Sequence, residues 1–456
     1  MLKIKGLLAV AGAFLIIQAG PGAILANAVE SSTTTGPPSE FQAADSQDVD
    51  PADELVINSP ASIAEQFRRD TEPRESLFQI PGMDRFYEPW ANLRSDLDEK
   101  HGFRPGFSFT HVYQKANEVV RQEDDAEGYE ITVFGDWTFA EREDGSESTI
   151  GFEYLRRDFF GDVPPVALFT QVGSLYPTTV AFGEVDHTIG QLWFQHEFSN
   201  RIGFRAGKLF PLSAYDFFPL KNFRIDFMDA IHAANFIIPL PDRGLGGFVM
   251  YRPRPNVYLR AGFHDANADA EKSGLNSLFD EGELFKIFEI GFDPELMPRQ
   301  PGRPPFGDVH LSVWHQDERE DENLSAWGFV LSGSQQFGRF LPYLRYGYTD
   351  VDDDGVLFRR VGSTLVEPTP IEHMINGGVA IDNVFGQNRD RIGIGATWSR
   401  PIDSDLDDQG ALDLFYRIQV TPRIAVSPTL HVIFDPVRNP EEDRVYVWGI
   451  RSRFSF

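Results

Sequence analysis

At 456 residues the chain is long enough for several soluble domains or for one large barrel, and 69 acidic against 41 basic residues leave a net charge of −28. That balance argues against nucleic acid and against a polybasic membrane patch, and the lack of cysteine rules out disulfides and thiolate metal sites. Forty phenylalanines combined with a negative mean hydropathy is the balance that alternating strands produce, because each apolar residue sits beside a polar one.

The N-terminus reads as a signal peptide over residues 1–28. Lys3 and Lys5 form its charged start, Gly6 to Ala19 its apolar stretch, and Ala26-Asn27-Ala28 an A-x-A cleavage site. Residues 29–89 read as an acidic linker and lead-in, and the Ser, Thr, Pro and acid content from Val29 to about Ala64 predicts disorder. Trp90, Leu93 and Leu97 then fall at helical spacing and Gly102 stops the run, which predicts a short amphipathic helix over 90–101. Such a helix suits the periplasmic mouth of a barrel, and equally a plain surface helix. No later run of about 18 apolar residues exists, so no transmembrane helix is expected.

From Pro105 on, period-2 segments follow one another near 105–114, 129–139, 147–157, 187–198, 201–208, 246–253, 256–264, 285–293, 308–316, 325–337, 339–349, 374–384, 390–399, 410–421, 423–434 and 444–456. That is about sixteen, an even number, and short and long connections alternate as in an outer-membrane barrel with both termini on the periplasmic side. Pro294 to Gly307 breaks the rule, being long and proline-rich for a turn. The expected fold is an all-β transmembrane antiparallel barrel of about 16 strands over residues 90–456.

The last strand, YVWGIRSRFSF, states the pattern most clearly. Tyr446, Trp448, Ile450, Phe454 and Phe456 share one face, and Arg451 and Arg453 lie on the other. An apolar face toward lipid and a charged face toward a wet lumen is the logic of a membrane strand. A terminal aromatic after alternating apolar residues also resembles the signal that outer-membrane barrels show to their assembly machinery. The last strand of a soluble sandwich is the competing reading of this segment.

The same alternation nominates lumen residues: Glu153, then Trp193, Gln195 and Glu197, then Arg205, Arg260, Arg345 and Arg417, with Lys208 at a strand end where its direction is open. Inward arginines facing acids make a plausible waist, while a generic polar lumen of Arg–Glu pairs explains each residue alone. Leu209 to Leu245 is a long connection that holds Lys221, Arg224, Asp226, Asp229, His232 and Arg243 beside Phe217, Phe218, Phe223 and Phe227. A loop so rich in phenylalanine is ill suited to water, so it is expected to fold into the barrel, the alternative being a loop that caps its neighbours outside. Asp350 to Gly355 opens like a calcium loop, but its twelfth position is Val361 rather than Glu. No H-E-x-x-H or G-x-S-x-G occurs, so neither an enzyme, a metal nor a cofactor is expected.

Three stretches resemble the carbohydrate-selective porins of the OprB type. DLFYRIQVTPRIAVSPTLHVIFDPVRNP from Asp413 is similar to that family's last hairpin, WANLRSDLDEKHGFRPGFSFTHVYQKAN to its entry segment, and GKLFPLSAYDFFPLKNFRIDF followed by IPLPDRGLGGFVMYRP to its central loop and next strand. The resemblance implies a monomeric or trimeric sixteen-strand barrel that passes small sugars by diffusion. Outer-membrane lipid and lipopolysaccharide would be its neighbours. A general or anion-preferring porin, or a non-conducting surface-binding barrel, are the rival readings.

Overall fold

The computed structural model describes residues 76–78, 81–142, 145–292, 307–319, 325–351, 359–361, 364–366, 371–386 and 390–456. The expected signal peptide, linker, calcium-like loop and Pro294 connection lie largely or wholly outside them. A helix, α1 (Pro81–His101), leads into β1 (Phe103–Ala116), β2 (Asp125–Glu141), β3 (Glu147–Phe160) and β4 (Val185–Ser199), with the five-residue α2 (Leu168–Val172) between the last two. The short β5 (Ile202–Leu209), a segment carrying α3 (Ala230–Ala234), and β6 (Gly244–Arg254), β7 (Val257–Asp265) and β8 (Leu284–Phe292) follow. Then come β9 (Gly307–Gln316), β10 (Ala326–Gln335), β11 (Phe340–Val351) and a small hairpin, β12 (Arg359–Val361) with β13 (Thr364–Val366). The chain ends with β14 (Ile371–Asp382), β15 (Arg391–Pro401), β16 (Gln409–Thr421), β17 (Ile424–Phe434) and β18 (Arg444–Ser455).

All strands except β12 and β13 form one closed antiparallel ring in sequence order, sealed by β1 against β18. Closure leaves no unpaired edge, which is what a strand-built structure in lipid requires. Each of the sixteen expected segments is one of these strands, with ends that differ by up to four residues. β8 pairs directly with β9, so the long Pro294 connection joins neighbours and the strand count is not off by one. Along the strands exposure alternates with period 2: on β4, Leu192 and Phe194 are exposed while Gln191, Trp193 and Gln195 are buried.

The helix departs from expectation. It begins at Pro81, nine residues before Trp90, so the expected lead-in to residue 89 includes helix. Pro89 sits inside α1 and imitates a start signal, because proline is tolerated only where its missing N–H does no harm. Leu93, expected on the packed face, is 48% exposed and Arg94 is buried in its place. The packed face holds Tyr87 and Trp90, whose rings lie 6.1 and 5.8 Å from Phe456. Tyr87 is also 6.1 Å from Phe454, and Trp137 Nε1 donates to the His101 carbonyl at 3.0 Å. Thus α1 covers the outward aromatics at the end of β18.

Candidate functional site

The loop after β5 is set up locally. β5 ends at Leu209, and Pro211 opens a single 3-10 turn just beyond it. From there to Arg243 almost every residue is buried. Phe218, Phe223 and Phe227 are at most 1% exposed. The loop therefore folds inward, and its polar groups meet inward-facing side chains from around the ring.

One anchor is the β2–β3 wall. Arg224 Nε meets Glu130 Oε1 at 2.5 Å, and Arg157 takes the other oxygen of Glu130 at 2.6 Å. Arg243 Nε meets Glu153 Oε1 at 2.8 Å, and Arg224 lies 4.0 Å from the same carboxylate. Buried acids of this kind are tolerated only where cations and hydrogen bonds replace water, and here the charges alternate. A second anchor lies across the lumen. Asp216 pairs with Arg345 of β11 and with His310 Nε2 of β9 at 3.2 Å, while its backbone N–H donates to Glu289 of β8 at 2.6 Å. Burial pushes the Asp216 carboxyl up, but Arg345, His310 and Lys221 outweigh it and hold it below the ordinary range. Burial likewise brings the Lys221 ammonium down to about 8 against the pull of Asp216.

A third anchor is Asp226, which Arg391 of β15 reaches at 2.9 Å and Arg417 of β16 at 3.3 Å. Arg391 also holds Asp382 at 2.5 Å. These three strand side chains are partly exposed, at 14%, 14% and 20%. On β18, Arg451 donates to the Phe223 carbonyl at 2.5 Å. The apolar contribution comes from Phe218, 4.8 Å from the Tyr343 ring, and Phe227, 4.9 Å from Phe415. The segment 161–184 packs behind this loop: Val180 N–H donates to the Met228 carbonyl at 3.0 Å and Ala230 N–H to the Pro177 carbonyl at 2.9 Å.

The nominated residues divide into groups. Glu153, Arg224, Asp226, Arg243, Arg345 and Arg417 converge on the inward loop. Arg205 is buried on the inward face of β5, with its guanidinium 4.0 Å over the Trp193 ring and its Nε 2.9 Å from Gln195. Gln195 passes a hydrogen bond on to Glu197 at 2.7 Å, so these four form a separate cluster. Arg260 donates to the Ala214 carbonyl and lies 3.6 Å from Glu289. Lys208 is a correction. It pairs in register with outward-facing Leu192, and its ammonium donates to the carbonyls of Ala270 and Lys272 at 2.6 and 2.8 Å. It ties down the loop after β7 and is not grouped with the inward arginines.

Sequence reasoning passed over Glu130, Arg157, Asp216, Glu289, His310 and Arg391. Glu130 and Arg157 carry the same period-2 signal as Glu153, so alternation was enough to find them. Asp216 lies in a loop at a φ of +50°, where no periodicity exists to be read.

The model of the carbohydrate-selective porin family, OprB type, matches residues 169–456. Among solved structures, the high-pH structure of Pseudomonas putida OprB is similar with a TM-score of 0.59 at 13% identity, covering 80% of this chain and 97% of that one. Its low-pH structure scores 0.44 at 12%, covering 81% and 97%. A triple mutant of the Rhodopseudomonas blastica porin scores 0.44 at 12%, covering 78% and 100%. No curated protein matches the chain in sequence.

Proposed function

The chain belongs to the carbohydrate-selective porin family, OprB type, and from that premise we propose that it passes small sugars down their gradient across the outer membrane. The route is a water-filled barrel narrowed to a charged waist by residues 210–243. The observation that carries this reading is the inward loop itself, held to β2, β3, β9, β11, β15 and β16 by charged pairs and to β8 by a backbone hydrogen bond to Glu289. A diffusion pore needs no reacting group, only a narrow passage whose walls replace part of the solute's hydration.

Arg391, Arg417 and Asp382, partly exposed beside Asp226, would hydrogen-bond sugar hydroxyls as donors and acceptors in turn. The partly exposed rings of Phe210, Phe217 and Phe236 on the same loop offer flat surfaces for the apolar faces of a sugar. The exposed outer belt would meet lipid and lipopolysaccharide, and the β18 aromatics would be handled by the assembly machinery. Residues 1–28 would be removed on export.

Planar-bilayer conductance of the purified protein, with sugars added in series, tests the proposal. Concentration-dependent block of the current by a mono- or disaccharide is expected. Open conductance that no sugar blocks would reduce the protein to a general pore, and no conductance would make it a structural barrel.

A further inference from the structure

Where α3 of the inward loop meets the barrel wall, two buried carboxylates come together without an arginine. Asp413 of β16 and His431 of β17 are direct cross-strand partners, with His431 Nδ1 2.5 Å from Asp413 Oδ1. Asp229 caps α3, and its Oδ1 accepts from the His232 backbone N–H and lies 2.8 Å from His232 Nδ1. His232 Nδ1 is also 3.6 Å from Asp413 Oδ2. All four residues are at most 3% exposed. Asp229, Asp413 and His431 each offer a ligand atom within 4.8 Å of the others.

Two observations bear on this cluster, the first of which separates it from the other lumen acids. Glu130, Glu153, Asp216 and Asp226 each take an arginine, whereas among the described residues no arginine or lysine stands within ion-pair distance of Asp229 or Asp413. Second, Asp229 Oδ2, Asp413 Oδ2 and His431 Nε2 have no hydrogen-bond partner, although orphaned buried polar atoms are costly. Two dry carboxylates side by side with spare lone pairs call for a cation between them.

We propose that Asp229, Asp413 and His431 bind one first-row divalent metal ion, which staples the inward loop to β16 and β17. The mixed imidazole and carboxylate set suits zinc, manganese or iron rather than calcium, which takes six to eight oxygens. Zinc holds such ligands at about 2.0–2.2 Å, so side-chain rotations suffice to draw in atoms already within 4.8 Å. His232, whose Nδ1 lies beside both Asp229 Oδ1 and Asp413 Oδ2, orients the two carboxylates, as outer partners of metal ligands do. The site is sealed, so loading would accompany folding. The inference concerns the fixing of the loop and does not depend on which solute passes.

The test is metal content by mass spectrometry of untagged full-length protein, assembled with zinc present and freed of loose ions by gel filtration. About one zinc per chain is expected, falling below about 0.2 in Asp413→Asn and His431→Gln and unchanged in His111→Gln, a histidine that pairs with Glu127 away from the inward loop. If the ligand variants fail to fold, anomalous scattering from wild-type crystals decides, with a peak expected between β16, β17 and α3. Folded wild-type protein with below about 0.1 zinc, manganese or iron per chain would overturn the proposal, leaving the cluster balanced by protons alone. So would ligand variants that keep the full load.

Discussion

Arg224 of the inward loop and Glu130 of β2 meet at 2.5 Å, both side chains at most 1% exposed. This pair fixes the loop to the wall, because neither partner has water to return to once the barrel closes. Arg157, on the far side of Glu130, makes the carboxylate the shared centre of two cations.

Glu130→Gln should therefore leave two buried guanidiniums with one neutral partner. Removing one member of a buried pair typically costs about 3–5 kcal/mol. The ring of strand pairs does not depend on Glu130, so the barrel should still assemble while the loop loosens. Single-channel recordings should show larger or flickering conductance and weaker sugar block. Wild-type currents would mean that this pair does not hold the loop.

Gly395 on β15 lies against His232. A Cβ there would stand 2.3 Å from His232 Nε2 and 2.5 Å from the Tyr343 hydroxyl. Gly395→Val should push α3 off the wall, at an overpacking cost of about 1–3 kcal/mol. The expected signature is new protease sensitivity within residues 210–243 of a folded barrel. Unchanged resistance would show that the wall yields instead.

Lys221 gives a pH dependence with a definite sign. Its ammonium is held near 8 in the folded loop against about 10.4 in a free chain. Between these values the unfolded chain binds more protons, so this group adds stability as pH rises through the window. The temperature at which heat modification is lost should carry an upward contribution from about pH 8 to 10 that Lys221→Met lacks. Identical slopes in the two proteins would contradict it. Asp216 acts with the same sign in a lower window: its depressed carboxyl adds stability as pH rises through the ordinary aspartate range, and that contribution is lost as pH falls back through it.

At the barrel's end, Phe456 hydrogen-bonds through its backbone to Phe107, at 2.7 and 3.0 Å, and packs under Trp90. Phe456→Asp should block assembly, seen as loss of the heat-modifiable folded form. Trp90→Ala, which removes only the cover, should assemble and lose about 3 kcal/mol or less. Normal assembly of Phe456→Asp would count against a role for the terminal aromatic.

Arg417 is partly exposed, and its 3.3 Å contact with Asp226 is longer than the 2.9 Å contact of Arg391. Arg417→Gln should keep the loop in place through Arg391 yet weaken sugar block several-fold. Equal block in both proteins would move the proposed contact away from β16.

The sequence alone determined the ring. Period-2 alternation fixes which side of a strand meets lipid, and it was readable for all sixteen strands because the physics is local: one residue in, the next out. It also named Glu153, Arg205, Arg260, Arg345 and Arg417 as inward. The phenylalanines of residues 210–243 signalled that the loop could not stay in water. Only the tertiary structure decided what the loop touches. Arg224 finds Glu130 across 94 residues and Asp226 finds Arg417 across 191, pairings set by barrel closure and stagger rather than by any local rule. The same closure brings Asp229 to Asp413 and His431. Lys208 keeps the register with outward-facing Leu192 to the end of β5, and only the fold shows that the carbonyls of Ala270 and Lys272 hold its ammonium.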